Sequence, residues 1–313
     1  MNSGLSIQHF QLPICKYNNQ IIAKVNQKLL IKNDGFFQQF YFDYFQQKVA
    51  FLTFDGFVKI YDIIQTRDGQ KHIFNCEFMA HQGAIKSLTW QSPSMDSMIA
   101  TCGDQDKTIK VFKETGKVWR EIKQISDNRK PLKVQWIENE LQLLIGYYEG
   151  DIEIRQGDNY QLAFSIKMFK NLIDFDLQLM QQDAILISSG VGGDSNYVFQ
   201  IQIIKLGNKE KIDFKSKFTQ PLASQIQNLK IAPYINDNEI KVAGLYDNRA
   251  IIIFIEYNEQ LSQNIDKITD QFIDIDSNVW QFQWSIFGNE LQIYTENGVR
   301  VYQQNIDDKF VIL

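Results

Sequence analysis

Apolar and polar residues alternate along most of this chain, in short runs that end at turn-forming residues. The runs VKIYD around Tyr61, TIKVF ending at Phe112 and VRVYQ around Tyr302 are typical. A period of two indicates β-strands whose side chains point to opposite faces of a sheet. Asp-Gly, Glu-Gly, Asp-Asn and Asn-Gly pairs between runs supply the positive φ angles of tight hairpins. Because no window has helical periodicity, the pattern predicts an almost entirely antiparallel β-protein.

The alternating runs recur at a regular interval and form six copies of one unit. One apolar or aromatic position marks the equivalent strand of each copy, with arginine replacing it in the third. The markers are Tyr61, Phe112, Arg155, Ile204, Phe254 and Tyr302, at successive intervals of 51, 43, 49, 50 and 48 residues. Self-similarity at roughly 40–50 residues is typical of propeller blades. The sequence therefore predicts a six-bladed β-propeller.

The second copy, from His81 to Phe112, resembles a WD40 repeat. An imidazole before the first strand, a hydroxyl on a strand and a carboxylate in a later turn can form a hydrogen-bonded network within such a blade. His81, Ser87 and Asp106 stand at the matching positions, and we predict that they form a structural clasp with no catalytic role. The network should end at Asp106, since Phe112 and Lys113 replace the final Trp-Asp pair.

Composition predicts one large domain that binds neither nucleic acid nor lipid directly. The 313 residues are 44% hydrophobic, which provides a sizeable core. The net charge is −5 and the basic residues are not clustered, whereas phosphate binding needs a basic face. The longest purely apolar run, residues 250–255, is far shorter than a membrane span. Residues 1–10 lack the profile of a secretion signal, so we expect a cytosolic or nuclear protein.

We predict no enzyme activity, no cofactor and no metal site. The three cysteines and three histidines share no metal-ligand spacing. The glycine-rich stretch from Ser189 to Asn196 is interpreted as a hairpin loop, because neither a Gly-Lys-Ser/Thr motif nor a helix follows it. The pairs Asp174/Asp176 and Asp274/Asp276 alternate along strands or their approaches, where polar residues are expected.

The last copy carries Val279-Trp280-Gln281-Phe282-Gln283-Trp284, followed by Ser285-Ile286-Phe287-Gly288. This pattern resembles the final blade of the Sec-thirteen family of WD40 proteins, and the resemblance extends from Phe36 to Gln304. The loop and strand GVGGDSNYVFQIQIIKL is similar to the extended loop of the Seh-one nucleoporin branch, which we favour over Sec-thirteen itself. The third and fourth copies depart from the family because they lack the Trp-Asp residues.

The resemblance implies a non-catalytic scaffold with an open six-bladed propeller, completed by a blade that an α-solenoid partner donates in trans. The implied assembly is a membrane-coating complex, most closely the Y-shaped complex of the nuclear pore at the nuclear envelope. The family also implies two alternative settings: a vesicle coat of the COPII type at the endoplasmic reticulum, or a nutrient-signalling complex on the lysosome or vacuole. Association with the membrane would be indirect in all three.

Two further functions differ in class. A self-closed WD40 adaptor would read peptides across one face of the propeller, and an enzyme would hold a ligand in the central channel. We predict a division into an N-terminal extension, residues 1–34, and the six-bladed propeller, residues 35–313. Within the extension, Ile21, Ile22, Leu29, Leu30 and Ile31 form strand-like runs that we predict to pack at the propeller seam. The alternative is a disordered tail over residues 1–17.

Overall fold

The protein is described by a computed structural model in which six four-stranded antiparallel sheets form a propeller. The described residues are 37–43, 45, 47–66, 69–91, 97–116, 118–137, 142–179, 183–205, 213–233, 239–258, 264–285, 287–305 and 307–313. None of them belongs to a helix with the length and apolarity needed to cross a membrane. The predicted all-β, six-bladed architecture is confirmed.

The first three sheets follow one another along the chain. Blade 1 contains β1 (Phe37–Phe42), β2 (Lys48–Thr53), β3 (Phe57–Thr66) and β4 (Gly69–Met79). Blade 2 contains β5 (Ile85–Trp90), β6 (Met98–Gly103), β7 (Thr108–Thr115) and β8 (Val118–Ser126). Blade 3 contains β9 (Pro131–Ile137), β10 (Gln142–Tyr147), β11 (Asp151–Gln156) and β12 (Gln161–Lys167). In each blade the first strand lines the central channel and the fourth lies at the rim.

The last three sheets repeat this order. Blade 4 contains β13 (Asn171–Leu179), β14 (Asp183–Val191), β15 (Tyr197–Lys205) and β16 (Asp213–Leu222). Blade 5 contains β17 (Ile226–Ile231), β18 (Glu239–Tyr246), β19 (Arg249–Asn258) and β20 (Asn264–Asp274). Blade 6 contains β21 (Val279–Trp284), β22 (Glu290–Thr295), β23 (Gly298–Gln304) and the short β24 (Phe310–Ile312). The six sequence markers all lie on the third strand of a blade, as predicted.

Turns between the second and third strands have the predicted backbone. Gly56 and Gly150 have φ angles of +92° and +93°, and Asp247 and Asn248 have φ angles of +48° and +62°. Gly298 has a φ of +126°. The glycine-rich loop of blade 4 is a hairpin turn over residues 192–196, because β14 and β15 extend to its edges. Turn residues that tolerate positive φ thus set the hairpin register in these blades.

Apolar side chains fill every joint between neighbouring blades. A strand that is buried on both faces contributes side chains to the joints on both sides of its blade. In β14, Ile187 belongs to the cluster shared with blade 5, and Leu186 belongs to the cluster shared with blade 3. Similar clusters join blades 1 and 2, blades 2 and 3, and blades 5 and 6. A smaller cluster joins blade 6 to blade 1, where Tyr294 packs beside Phe40. Hydrophobic contact therefore runs around the whole ring.

Candidate functional site

His81 and Asp106 meet as the sequence predicts, at the entrance to blade 2. His81 is buried, and its Nδ1 lies 2.9 Å from Oδ2 of Asp106, while its Nε2 lies 2.8 Å from the Thr101 hydroxyl oxygen. An ionised carboxylate only accepts hydrogen bonds. We therefore assign the proton to Nδ1, which donates to Asp106, and Nε2 accepts from Thr101. The third member of the clasp is thus Thr101.

Ser87, the hydroxyl that we predicted in this position, lies in a different network. Its Oγ accepts a hydrogen bond from the backbone N–H of Val134 in blade 3 at 2.9 Å and is 3.3 Å from Sγ of Cys102. Ser87 pairs with Cys102 and Leu88 pairs with Thr101 across β5 and β6, so the two hydroxyls point to opposite faces of the sheet. The strand periodicity explains why Thr101, and not Ser87, reaches Nε2 of His81.

The clasp predicts a pH dependence of stability. Burial raises the pKa of Asp106, but the hydrogen bond from His81 and those from Thr108 lower it by more, to about 2. Because this value lies below the unfolded pKa of about 3.9, the stabilisation is complete above pH 4 and is lost as the pH falls towards 2. We expect Asp106→Asn to cost about 1–2 kcal/mol of unfolding free energy at pH 7 and progressively less below pH 4. Urea unfolding at several pH values measures this.

Ser87→Ala is the matched control, since it removes a hydroxyl from the same blade outside the clasp. Its cost should be about 1–3 kcal/mol, from the orphaned N–H of Val134, and should not vary with pH below 4 as that of Asp106→Asn does. An Asp106→Asn penalty that is the same at pH 7 and pH 3 would contradict the assignment of the charge.

Polar pairs on the inner strands fasten one blade to the next. Asp174 and Asp176 of β13 each accept a hydrogen bond from a backbone N–H of β17, at 2.7 Å from Leu229 and 2.8 Å from Ile231. Equivalent positions of other inner strands bind the next inner strand in the same way: Ser87 and Thr89 to blade 3, and Lys133 and Gln135 to blade 4. The carboxylate pair noted in the sequence is thus part of a joint. Asp274 and Asp276 are both exposed, and Asp276 pairs with Arg300.

Arg155 stands where an aromatic marker was expected because it neutralises a buried acid. Glu153 is almost fully buried, and Arg155 Nη2 lies 2.9 Å from its Oε2. Arg129 bonds to the other oxygen of Glu153 and also to Asp127, and its guanidinium lies 4.0 Å from the centre of the Tyr147 ring. The Arg129 hydrogen bond lowers the pKa of Asp127. This four-charge cluster was not foreseen, since its members come from a loop and a strand.

The joint between blades 6 and 1 is built differently from the others. Its inner part is aromatic: the ring centres of Phe40 and Tyr294 lie 5.1 Å apart in edge-on geometry. The hydroxyl oxygen of Tyr294 also lies 3.1 Å from Oε1 of Gln283 and 2.9 Å from Oε1 of Gln292, both in its own blade. Among the residues that the structure describes, no hydrogen bond links β21 to β1. In the two adjacent joints the indole N–H groups of Trp90 and Trp284 donate to the backbone carbonyls of Tyr41 and Lys230, both at 3.0 Å, and the described residues show no counterpart here.

The outer part of this joint leaves apolar groups partly uncovered. On blade 1, Phe74 is 52% exposed, and the Tyr61 ring that it contacts at 5.5 Å is only half-buried. On blade 6, Val299 and Val301 are half-buried. The short β24 pairs with Tyr302–Gln304, and the N–H of Leu313 donates to the carbonyl of Val301, so the described residues leave only residues 298–300 of β23 without a strand on that side. We call this region the seam.

The predicted seam residues Ile21, Ile22, Leu29, Leu30 and Ile31 lie outside the described residues, as do Cys15 and the whole extension 1–34. Their docking stays a prediction, and so does completion of the ring by a donated blade. The fold and the clasp together define the class: a six-bladed β-propeller, consistent with a WD40 propeller. No protein-family model matches the sequence, and no curated protein matches it either.

Proposed function

We propose that this protein is a non-catalytic scaffold subunit whose seam binds an α-solenoid partner that donates a blade. The observation that supports the proposal is the contrast between the seam and the other five joints. Phe74 and Tyr61 provide an apolar wall, and among the described residues no strand lies beside residues 298–300 of β23. Unpaired strand edges are pairing sites and are normally covered, and adding a strand in trans is a recurring mode of recognition.

The proposed assembly is the Y-shaped complex of the nuclear pore at the nuclear envelope, on the resemblance of the Val279–Gly288 motif. The alternative settings of the same mechanism are a vesicle coat and a lysosomal or vacuolar signalling complex. A non-catalytic role is supported by the structural hydrogen bonds that the candidate reactive groups make. Asp174 and Asp176 accept hydrogen bonds from backbone N–H groups of blade 5, and His81 donates one to Asp106.

Phe74→Glu tests the seam. We expect the tagged wild-type chain, purified from its own cells through a high-salt wash, to retain a large α-solenoid protein that mass spectrometry identifies. A charge at position 74 would have to be desolvated against the donated blade, so recovery should fall at least about tenfold. Ile73→Glu is the matched control: Ile73 is 48% exposed on the same strand, but it pairs with Asp62 and faces away from the seam.

Equal recovery with both variants would contradict the seam proposal. A nucleoporin solenoid would support the pore, whereas a coat or nutrient-signalling solenoid would retain the mechanism and change the location. The second candidate is a self-closed adaptor that binds peptides, and the contact of Phe40 with Tyr294 favours it. A chain recovered alone and stable as a monomer would support that function instead.

A further inference from the structure

One end of the central channel, which we call the mouth, is lined by residues that lie at irregularities in the strand pairing. Each inner strand has a shift of register with its neighbour near one end. In five strands the residue at the shift borders the mouth: Lys86, Leu132, Ile173, Asn228 and Trp280. A bulge turns a side chain away from its alternating position and is often found where a side chain is re-aimed for function. Asn228 also has a φ of +54°.

The mouth opens into a cavity of about 500 Å³ with a cationic wall. Lys86, Lys133 and Lys230 line it, but Asp174 is the only carboxylate that does, among the residues that the structure describes. Lys133 lies 2.9 Å from Asp174 and belongs to the joint. Lys86 and Lys230 are each 3.7 Å from a carboxylate that lies outside the cavity wall, Asp104 and Asp176 respectively. Each of these two ammonium groups therefore has one partly exposed, long ion pair, and an anionic ligand in the cavity would share the ammonium with that carboxylate.

Carboxamides make up much of the remaining wall. Five of them make no side-chain hydrogen bond to any described residue: Asn171, Gln225, Gln227, Asn228 and Gln281. An amide side chain both donates and accepts, as the backbone of a peptide does. A wall with several such groups suits an extended polypeptide better than a ligand with acceptors alone.

Trp280 supplies an apolar contact at the same mouth. Its side chain is 41% exposed, whereas Trp119, Trp136 and Trp284 are buried and Trp90 is half-buried. Blade 6, which carries Trp280, lies opposite blade 3, which contributes Tyr148. Exposed tryptophan is enriched at the centres of binding surfaces, because it offers a large rigid area at small entropic cost.

We propose that the mouth binds a short acidic peptide segment of a partner protein, with a carboxylate at Lys86 or Lys230 and an adjacent apolar side chain against Trp280. The carboxamides hold the peptide backbone. This proposal uses the channel and does not depend on what binds the seam. A propeller whose seam is occupied by a solenoid would still present this second site.

The test selects from a displayed library of random heptapeptides against the purified full chain. We expect the enriched sequences to place Asp or Glu next to an aromatic or aliphatic residue. A synthetic peptide of the most enriched sequence should protect Trp280 from acrylamide quenching, a signal that the Trp280→Phe variant loses. Lys86→Gln and Trp280→Ala should each weaken binding about tenfold, as expected for a lost charged contact or aromatic anchor. Lys59→Gln, a change on β3 of blade 1 that does not line the cavity, should leave the affinity unchanged.

Three results would overturn the proposal. The library enriches no acidic sequence, or its enriched peptides bind the Lys86→Gln and Trp280→Ala variants as tightly as the wild type, or a mixed-sequence RNA oligonucleotide competes for the same site. Trp280 and Lys86 are partly exposed, so both variants should fold. Unchanged far-UV circular dichroism verifies this before binding is compared.

Discussion

Asp174→Ala is expected to lower the free energy of unfolding by about 3–5 kcal/mol. Asp174 is buried and serves three partners at once. Its carboxylate lies 2.9 Å from Lys133 Nζ and accepts backbone hydrogen bonds from Phe175 and Leu229, both at 2.7 Å. Removing the carboxylate leaves two N–H groups in the joint between blades 3, 4 and 5 without their acceptor, and it leaves the Lys133 ammonium with only the Phe175 carbonyl.

The ammonium dominates this cost. Burial lowers the pKa of Lys133, but Asp174 and Asp176 raise it by more, so the group stays charged in the folded protein. Without Asp174 the charge keeps its desolvation penalty and loses the nearer of its two counter-charges. Urea unfolding followed by tryptophan fluorescence measures the loss.

Two variants isolate the cause. Adding Lys133→Met to Asp174→Ala should recover part of the stability, because the stranded charge is removed. Asp276→Ala removes an exposed aspartate that pairs with Arg300, and it should cost no more than about 1 kcal/mol. The interpretation is wrong if the double variant is no more stable than Asp174→Ala, or if Asp174→Ala costs as little as Asp276→Ala.

The blades were predictable because their signals are local. Period-two alternation gives the strands, and residues that tolerate positive φ, such as Gly56 and Gly150, give the hairpins. Each blade is one meander whose strands pair with their sequence neighbours. The number and order of the blades therefore followed from counting repeats, with no knowledge of contacts distant in the sequence.

The third clasp residue was not predictable at this level. A register shift between Ile85 and Ser87 decides which hydroxyl lies on the same face of the sheet as the His81 imidazole. The spacing of residues along the sequence does not reveal this shift. Thr101 carries the only signal that could have found it: a hydroxyl at the centre of an otherwise apolar second strand, facing away from Ser87.

The polar contacts in the joints between blades could not be predicted from the sequence, for a different reason. Asp174 and Leu229 are 55 residues apart, and Ser87 and Val134 are 47 apart, so the partners belong to different repeats. Polar residues two apart on an inner strand look like an exposed face until the next blade is placed against them. The weaker fastening of the seam, with Phe40 against Tyr294, likewise exists only as a comparison among six assembled joints.

Gly150→Ala is expected to lower the free energy of unfolding by about 3 kcal/mol or more, because this turn of blade 3 packs directly against the segment that leads into blade 4. Gly150 has a φ of +93°, and its carbonyl accepts backbone hydrogen bonds from Met168 at 3.0 Å and Phe169 at 3.3 Å. A Cβ at this position would overlap the backbone carbonyl of Phe169, which a side-chain movement cannot relieve. The turn must therefore separate from the segment that leads into β13.

Gly157→Ala in the same blade separates strain from overlap. Gly157 also has a left-handed φ, +74°, but a Cβ there would meet no atom within 4 Å. Replacing it should lower the free energy of unfolding only by the strain of a left-handed backbone, about 1 kcal/mol. Thermal unfolding of both variants compares the two costs. Equal losses would mean that positive φ alone explains Gly150, and that the tight contact between the turn of blade 3 and the entrance of blade 4 adds nothing to the stability of the ring.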